Sequence, residues 1–290
     1  LKYKGDWSGL KIAMDVSNGM ASLFVRDIFG DRPAYIYEEM DGSFPNHEPN
    51  PLVPENVEAL KRLVAQTGAD VGVIYDGDAD RAIFVDEKGT FMDGNITFAL
   101  LASYFAEKAG SGEIVTPVST SGIVEAVGKE FGCTTAYTVV GSIYVARTMR
   151  QELAEGKNVI IGGEGNGGVI YPNHQFCRDG GMSAATMLGL SAVRKTPISE
   201  LIAALPKFTM YQEKRKTSQA KEIVDHMREF FADCPVDDRD GIRITKGGAW
   251  ALIRPSGTEP LVRVYTESRD AAEAKELLDT ILSEIAPYLG

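Results

Sequence analysis

Short apolar runs that stop at a turn and hand over to an amphipathic helix recur along most of this chain, and that alternation narrows the possible folds more than any other feature. Leu10-Lys11-Ile12-Ala13-Met14 reads as a strand stopped by Ser17-Asn18-Gly19. Pro54 suits the first turn of a helix; Val57, Leu60 and Val64 then share one face, and Gly68 ends it. Val71-Gly72-Val73-Ile74-Tyr75 is almost continuously apolar, as expected of a strand covered on both faces of an α/β sheet. Ile83-Phe84-Val85 with Gly89 reads as a hairpin returning from it. A second round starts near Gly94, with helices at 96–105, 123–131, 144–153 and 184–193 and strands at 114–116, 135–139 and 159–161. Such repetition predicts layered sheets with helices on their faces.

The rhythm changes after Thr196-Pro197, where a short helix runs to Leu205. Pro206 and the basic tract Lys214-Arg215-Lys216 read as a crossing between domains. One helix (Ile223, Met227, Phe230), three strands (242–245, 250–253, 262–265) and a closing helix at 271–285 follow. The expected fold class is therefore α/β: two layered domains with mixed sheets, at 1–95 and 96–205, then a smaller α+β domain at 206–290. The 290 residues leave room for three such cores.

Composition removes whole classes of partner. No apolar run approaches the ~18 residues of a membrane span, and the start lacks the basic-then-apolar order of a signal peptide, so no membrane partner is expected. Lys and Arg number 30 against 41 Asp and Glu, a net charge of −11, which argues against a nucleic-acid partner. The same field repels anions, so a phosphorylated ligand needs local cations or a metal. Cys133, Cys177 and Cys234 are odd in number and far apart, which points to a reducing compartment, the cytoplasm. The chain opens on Leu1 and enters a strand pattern within a dozen residues, as a piece of something longer would.

Three loops carry chemistry. Asp76-Gly77-Asp78-Ala79-Asp80-Arg81 follows the apolar strand, and its carboxylates at i, i+2 and i+4 repel one another unless they curl around a cation. All-oxygen ligands suit a hard ion such as Mg²⁺, and the carboxyl end of a strand is where α/β sheets place ligands. Arg81 offers a fixed cation to a phosphate or hydroxyl. A solvated acidic turn is one alternative; an EF-hand is another and would place Glu87 at its twelfth position, but Arg81 then occupies the sixth, where the turn needs Gly. The second loop, Gly162-Gly163-Glu164-Gly165-Asn166-Gly167-Gly168, lets backbone approach a ligand closely, and Glu164 and Asn166 suit the vicinal hydroxyls of a sugar. A flexible hairpin is the alternative. The third, Arg254-Pro255-Ser256-Gly257-Thr258-Glu259-Pro260, gathers a guanidinium, two hydroxyls and the N–H groups of Ser256, Gly257 and Thr258 into a nest for a dianion. A plain β-turn is its alternative.

Taken together and in this order, the loops resemble those of the α-D-phosphohexomutase family, which includes phosphoglucomutase, phosphomannomutase and phosphoglucosamine mutase. DGDADR is similar to the family's metal loop (usually DGDGDR), GEGNGG to its sugar loop (often GEXSG), and RPSGTEP to its phosphate loop. Asp41-Gly42 leading into Phe44-Pro45-Asn46-His47-Glu48-Pro49, Thr138-Val139-Val140-Gly141 before Tyr144-Val145, and Asp240-Gly241-Ile242 fit as well, so the resemblance covers essentially the whole chain. It implies a four-domain enzyme whose second, third and fourth domains these are. The first would carry a phosphorylated serine in a T-x-S-H-N-P-like loop. Ser119-Thr120-Ser121-Gly122 lacks the His-Asn-Pro and follows the wrong strand, so no nucleophile is assigned. Gly168 stands where many relatives carry His, and Asn166 replaces a frequent Ser, a form that resembles an archaeal-like branch.

What the resemblance implies is transfer of a phosphoryl group between C1 and C6 of a hexose phosphate through a phosphoserine and a bisphosphate. Mg²⁺ would sit on Asp76, Asp78 and Asp80, and Arg81, the catalytic assignment, would join that loop to substrate. Glu164 and Asn166 would take sugar hydroxyls; Arg254, Ser256, Gly257 and Thr258 would take the non-reacting phosphate. The partners are then a hexose phosphate, a hexose bisphosphate and the missing N-terminal domain, without which the chain is expected to be inactive. His47 and His174 are weighed as proton carriers and read instead as structural or surface residues. The alternatives are a non-catalytic sugar-phosphate binding module, a phosphopentomutase of the same family, and a metal-dependent phosphatase with Asp76 or Asp78 as nucleophile.

Overall fold

The structure, a computed structural model, describes residues 6–289; the first five residues of the expected 1–95 domain, and Gly290, lie outside it. In chain order come β1 (Ile12–Asp15), α1 (Val25–Phe29), β2 (Ala34–Ile36), α2 (Glu58–Thr67), β3 (Val71–Tyr75), β4 (Ala82–Asp86), β5 (Phe91–Met92) and α3 (Gly94–Ala109). Next are β6 (Gly112–Pro117), α4 (Gly122–Glu130), β7 (Cys133–Thr138), α5 (Ser142–Ala154), β8 (Val159–Gly163), β9 (Val169–Ile170), α6 (Gly180–Arg194) and α7 (Ile198–Ala203). The last are β10 (Thr209–Lys216), α8 (Ala220–Phe230), β11 (Val236–Asp237), β12 (Ile242–Lys246), β13 (Ala249–Pro255), β14 (Leu261–Ser268) and α9 (Ala271–Ile285). Among these residues no helix is long and apolar enough to cross a membrane.

The fold is mixed α/β. Among the described residues three sheets form, in the orders β2-β1-β3-β4-β5, β7-β6-β8-β9 and β10-β14-β13-β12-β11. In the first, β1 pairs parallel with both β2 and β3, whereas β3–β4 and β4–β5 are antiparallel. Every residue of β3 and β4 is buried, as the uncharged run at 71–75 requires. α2 covers that sheet with Leu60 and Val64, and Gly68 closes the helix in the left-handed conformation. In the second sheet β6 and β8 are parallel, and β9 returns antiparallel to β8.

Two compact units result. The first holds the described residues to Thr116 with Val124–Ala136 and Gly141–Leu205; the second holds Pro117–Ile123, Tyr137–Val140 and the described residues from Pro206. The second unit is an antiparallel sheet covered by α8 and α9. Ile223, Met227, Ile242, Ile244, Ile253, Val264, Leu278 and Ile281 form its core, each such side chain contributing roughly 1.5–3 kcal/mol by leaving water. Glu267 is buried here and accepts from Ser121 Oγ, Gly122 N (2.7 Å) and Trp250 Nε1 (2.8 Å), so its carboxylate anchors the 117–123 segment within the unit.

Two expectations need correction. Lys214-Arg215-Lys216 is no crossing segment; it ends β10, paired residue by residue with β14 from Thr209↔Ser268 to Lys216↔Leu261. β10 lies at the sheet's edge, where one face stays wet and lysines discourage further pairing, so a strand with few apolar residues suffices. Phe230 does not join the α8 stripe: it is exposed, and Phe231 is buried instead. The helix ends at Phe230, and the backbone of Phe231 leaves helical geometry (φ −104°, ψ 29°), which redirects that side chain inward.

Candidate functional site

The acidic loop joins β3 to β4, with Tyr75 paired to Ala82 across its base. Ala79 N donates to Asp76 O (3.1 Å), which curls the loop, and Met20 N holds its rim through Gly77 O (2.9 Å). Asp76 is only 2% exposed. Its Oδ1 accepts from Arg81 N (3.1 Å) and its Oδ2 from Arg81 Nε (2.5 Å). Burial pushes the Asp76 carboxyl up from its ordinary value, and the Arg81 charge opposes this. Arg81 is thus turned onto its own loop.

Asp76, Asp78 and Asp80 each present a carboxylate oxygen, and those oxygens lie within 4.8 Å of one another. Asp80 Oδ1 is buried without a hydrogen-bond donor. Arg81 Nε stands 3.9 Å from that oxygen, and an all-carboxylate set whose buried oxygen has no hydrogen bond fits a hard divalent cation. The EF-hand alternative is absent from the described residues: residues 82–86 are strand, and Glu87 at the twelfth position accepts from Ser199 N and Oγ.

The glycine-rich loop joins β8 to β9, closed by Glu164 N on Gly168 O (2.9 Å). It lies beside the acidic loop within the first unit. Gly167, at φ +86°, sits where an added Cβ would meet Ile83 Cδ1 at 2.6 Å and Ala82 O at 3.1 Å, so only glycine allows this approach. Glu164 is 7% exposed, and burial raises its carboxyl above the ordinary value against the pull of Arg178. Asn166 folds onto its own loop, Oδ1 accepting from Gly168 N (2.9 Å) and Nδ2 reaching Glu164 Oε2 at 3.5 Å.

Two capped helices end at these loops. Asp93 accepts from Asn95 N and Ile96 N at the start of α3, and Asp179 from Met182 N at the start of α6, each cap contributing about 1 kcal/mol. Gly180 N donates to Ala79 O (3.2 Å), which seats the α6 N-terminus on the acidic loop. Ahead of that helix stands Arg178, which the sequence reading missed. Its Nη2 donates to Asp80 Oδ2 at 2.5 Å and its Nη1 lies 3.4 Å from Glu164 Oε2. The available signal was a charged pair, Arg178-Asp179, opening onto Gly180-Gly181, but its partners lie 98 and 14 residues away.

The two weighed histidines lie near these loops rather than in them. His47 points Nε2 at the buried Asp15 Oδ2 (3.1 Å) and Nδ1 at Glu48 O (2.8 Å). His174 is partly exposed and lies 3.0 Å from Asp179 Oδ2.

The Arg254 loop belongs to the second unit. β13 runs on through Pro255, and Ser256 N donates to Leu261 O (2.9 Å), which leaves Gly257 and Thr258 exposed at the tip. Thr258 N reaches Ser256 Oγ at 3.5 Å. Arg254 Nε donates to Asp240 Oδ1 (3.0 Å), and Asp240 Oδ2 accepts from Val140 N (2.8 Å). Asp240, quoted in the sequence only as part of a matching segment, is thus the residue that orients Arg254.

Three successive segments match family models: 3–89 to "Phosphoglucomutase/phosphomannomutase, alpha/beta/alpha domain II", 93–208 to domain III of the same series, and 210–284 to its C-terminal domain. A "Probable phosphoglucosamine mutase" of Methanopyrus kandleri is 36% identical over 284 residues, covering 94% of this chain and 61% of its own length. A "Phosphoglucomutase/phosphomannomutase" of Thermococcus kodakarensis is 37% identical over 275 residues, covering 92% and 59%. The chain therefore spans about three fifths of these relatives, 61% and 59%. Among solved structures, a phosphoglucomutase/phosphomannomutase family protein of Burkholderia thailandensis superposes with a TM-score of 0.84 at 24% identity, over 97% of this chain and 62% of that one. The N-acetylphosphoglucosamine mutase of Aspergillus fumigatus, in complex with GlcNAc-6P and magnesium, gives 0.69 at 15% identity, over 100% and 64%. At such identities these two structures speak to the fold alone.

Proposed function

The chain belongs to the phosphoglucomutase/phosphomannomutase family, and from that premise we propose that it supplies the cation-, sugar- and phosphate-binding parts of a phosphosugar mutase. In the reaction, a hexose hydroxyl oxygen bonds to phosphorus as the serine oxygen leaves, and the hydroxyl proton ends on that serine. The second half runs the same exchange backwards with the other phosphate of the bisphosphate. The phosphoserine comes from outside the three matched domains.

Asp76, Asp78 and Asp80 are the residues that would hold Mg²⁺. When bound, the ion neutralises charge on the transferring oxygens. Arg81 aims Asp76 and opposes the upward push that burial gives its carboxyl. Glu164, with Asn166 bracing its loop, accepts from sugar hydroxyls. Asp240 takes Arg254 Nε and leaves the two Nη groups for the non-reacting phosphate, beside Ser256, Gly257 and Thr258. The phosphatase alternative needs a free Asp nucleophile; of its two candidates Asp76, with both oxygens on Arg81, is poorly placed, which leaves the exposed Asp78. The three unpaired cysteines support a reducing, cytoplasmic setting.

The observation that carries this reading is the meeting, inside one compact unit, of three carboxylates with the buried Glu164. Its test is Asp78→Asn in the full-length protein, assayed against glucose, mannose and glucosamine phosphates with Mg²⁺ and a bisphosphate activator. Turnover should fall by at least about a hundredfold, the scale of losing one electrostatic contact to the transition state. Unchanged turnover would remove this loop from the reaction.

A further inference from the structure

Arg178 touches both acidic elements of the first unit at once, Asp80 through Nη2 and Glu164 through Nη1. Its backbone has little freedom. Arg178 bridges antiparallel to Ile170, Asp179 N donates to Val169 O (3.0 Å), and Asp179 caps α6. The side chain leaves this fixed point across Gly168, where an added Cβ would lie 2.3 Å from Arg178 Cδ and 3.1 Å from its Cγ. Gly168 has no positive φ, so its backbone is not what demands glycine; the stem of Arg178 is the tightest obstacle to a side chain there, with Asn166 Oδ1 next at 3.1 Å. The guanidinium occupies Asp80 Oδ2 and leaves Oδ1 without a donor, so a single oxygen of that carboxylate remains for a cation.

We propose that Arg178 is a positioning residue that holds Glu164 against the Asp80 loop, so that the sugar hydroxyls are met beside the cation at some cost to the cation's own affinity, and that Gly168 lacks a side chain to let it pass. This rests on reading the two loops as cation and sugar sites. A planar fork can span two carboxylates where a lysine ammonium reaches one. The guanidinium also adds positive charge beside the carboxylate cluster, so it opposes a metal while it orders the sugar contact. Its removal should move the two affinities in opposite directions, which a merely structural role would not do.

The test uses the full-length protein, with Mn²⁺ followed by electron paramagnetic resonance and glucose 1,6-bisphosphate followed by calorimetry. Arg178→Ala should bind Mn²⁺ at least threefold tighter and the bisphosphate about tenfold weaker, the scale of a lost hydrogen bond to a charged group. The Michaelis constant for hexose phosphate should rise more than kcat falls. Arg178→Lys should recover the Mn²⁺ value but not the sugar affinity. Gly168→Ala should reproduce the bisphosphate loss and add nothing in the Arg178→Ala background. Parallel weakening of both ligands, or effects of the two substitutions that multiply, would overturn the proposal. Should Gly168→Ala fail to fold by circular dichroism, the Arg178→Ala and Arg178→Lys pair decides alone. Undiminished Mn²⁺ binding in Asp78→Asn would sink the underlying site reading; loss of it there, with unchanged bisphosphate binding in Arg178→Ala, would sink this inference only.

Discussion

Ala79 stands between two of the three clustered carboxylates at φ +59°, a left-handed conformation that an L side chain adopts at some cost. The conformation is held by Ala79 N on the Asp76 carbonyl (3.1 Å) and by Gly180 N on Ala79 O (3.2 Å). Ala79→Gly should therefore stabilise the protein by roughly 0.5–1 kcal/mol, after allowing for the entropy of glycine in the unfolded chain. The urea midpoint measures it; a lower midpoint would mean that the buried methyl packs better than the backbone strain costs. At this scale the residue types in the acidic loop were legible because three alternating carboxylates admit few explanations. Arg178 was not, since nothing near it in sequence reveals that Asp80 and Glu164 wait at the end of its side chain.

Among elements, the segment from Asp41 to Asn50 has no regular structure yet lies beside the acidic loop: a Cβ on Gly77 would meet Pro49 at 3.3 Å and Phe44 at 3.4 Å. His47 fastens it. Both ring nitrogens face oxygen acceptors, Asp15 Oδ2 and Glu48 O, so both are satisfied together only when both carry protons. The hydrogen bond to Asp15 accordingly raises the His47 pKa above its ordinary value, partly offset by burial. A raised histidine stabilises fully below the unfolded value of about 6.5 and loses that contribution as pH climbs through the folded one. The gap in stability between wild type and His47→Gln should be about 1–2 kcal/mol near pH 5.5 and shrink towards pH 9. Denaturation across that range checks it, and a gap independent of pH would show that the imidazolium is not the fastening form. Helices and buried strands were readable in the sequence from periodicity. β10 was not, because an edge strand half in water needs no apolar pattern and is defined by its partner β14.

For the molecule as a whole, any cation bound only by the folded acidic loop must stabilise the fold by mass action. Mg²⁺ at a hundred times its dissociation constant should add about 2.7 kcal/mol, and Asp78→Asn should abolish the rise in melting temperature. Differential scanning calorimetry with Mg²⁺ and with a chelator measures it; an equal rise in the variant would place the ion elsewhere. By itself the amino-acid order determined the α/β fold class, and it pointed to an α+β C-terminal part and to three loops of unusual composition. These depend on local periodicity, backbone preference and like-charge repulsion, all of which act within a few residues. Only the tertiary structure decided that Arg178 joins Asp80 to Glu164, that Asp240 orients Arg254, that Glu267 anchors Ser121 and Gly122, and that His47 meets Asp15. A side chain's partner across tens of residues is chosen by how strands order and where loops end, and no local preference encodes that distance.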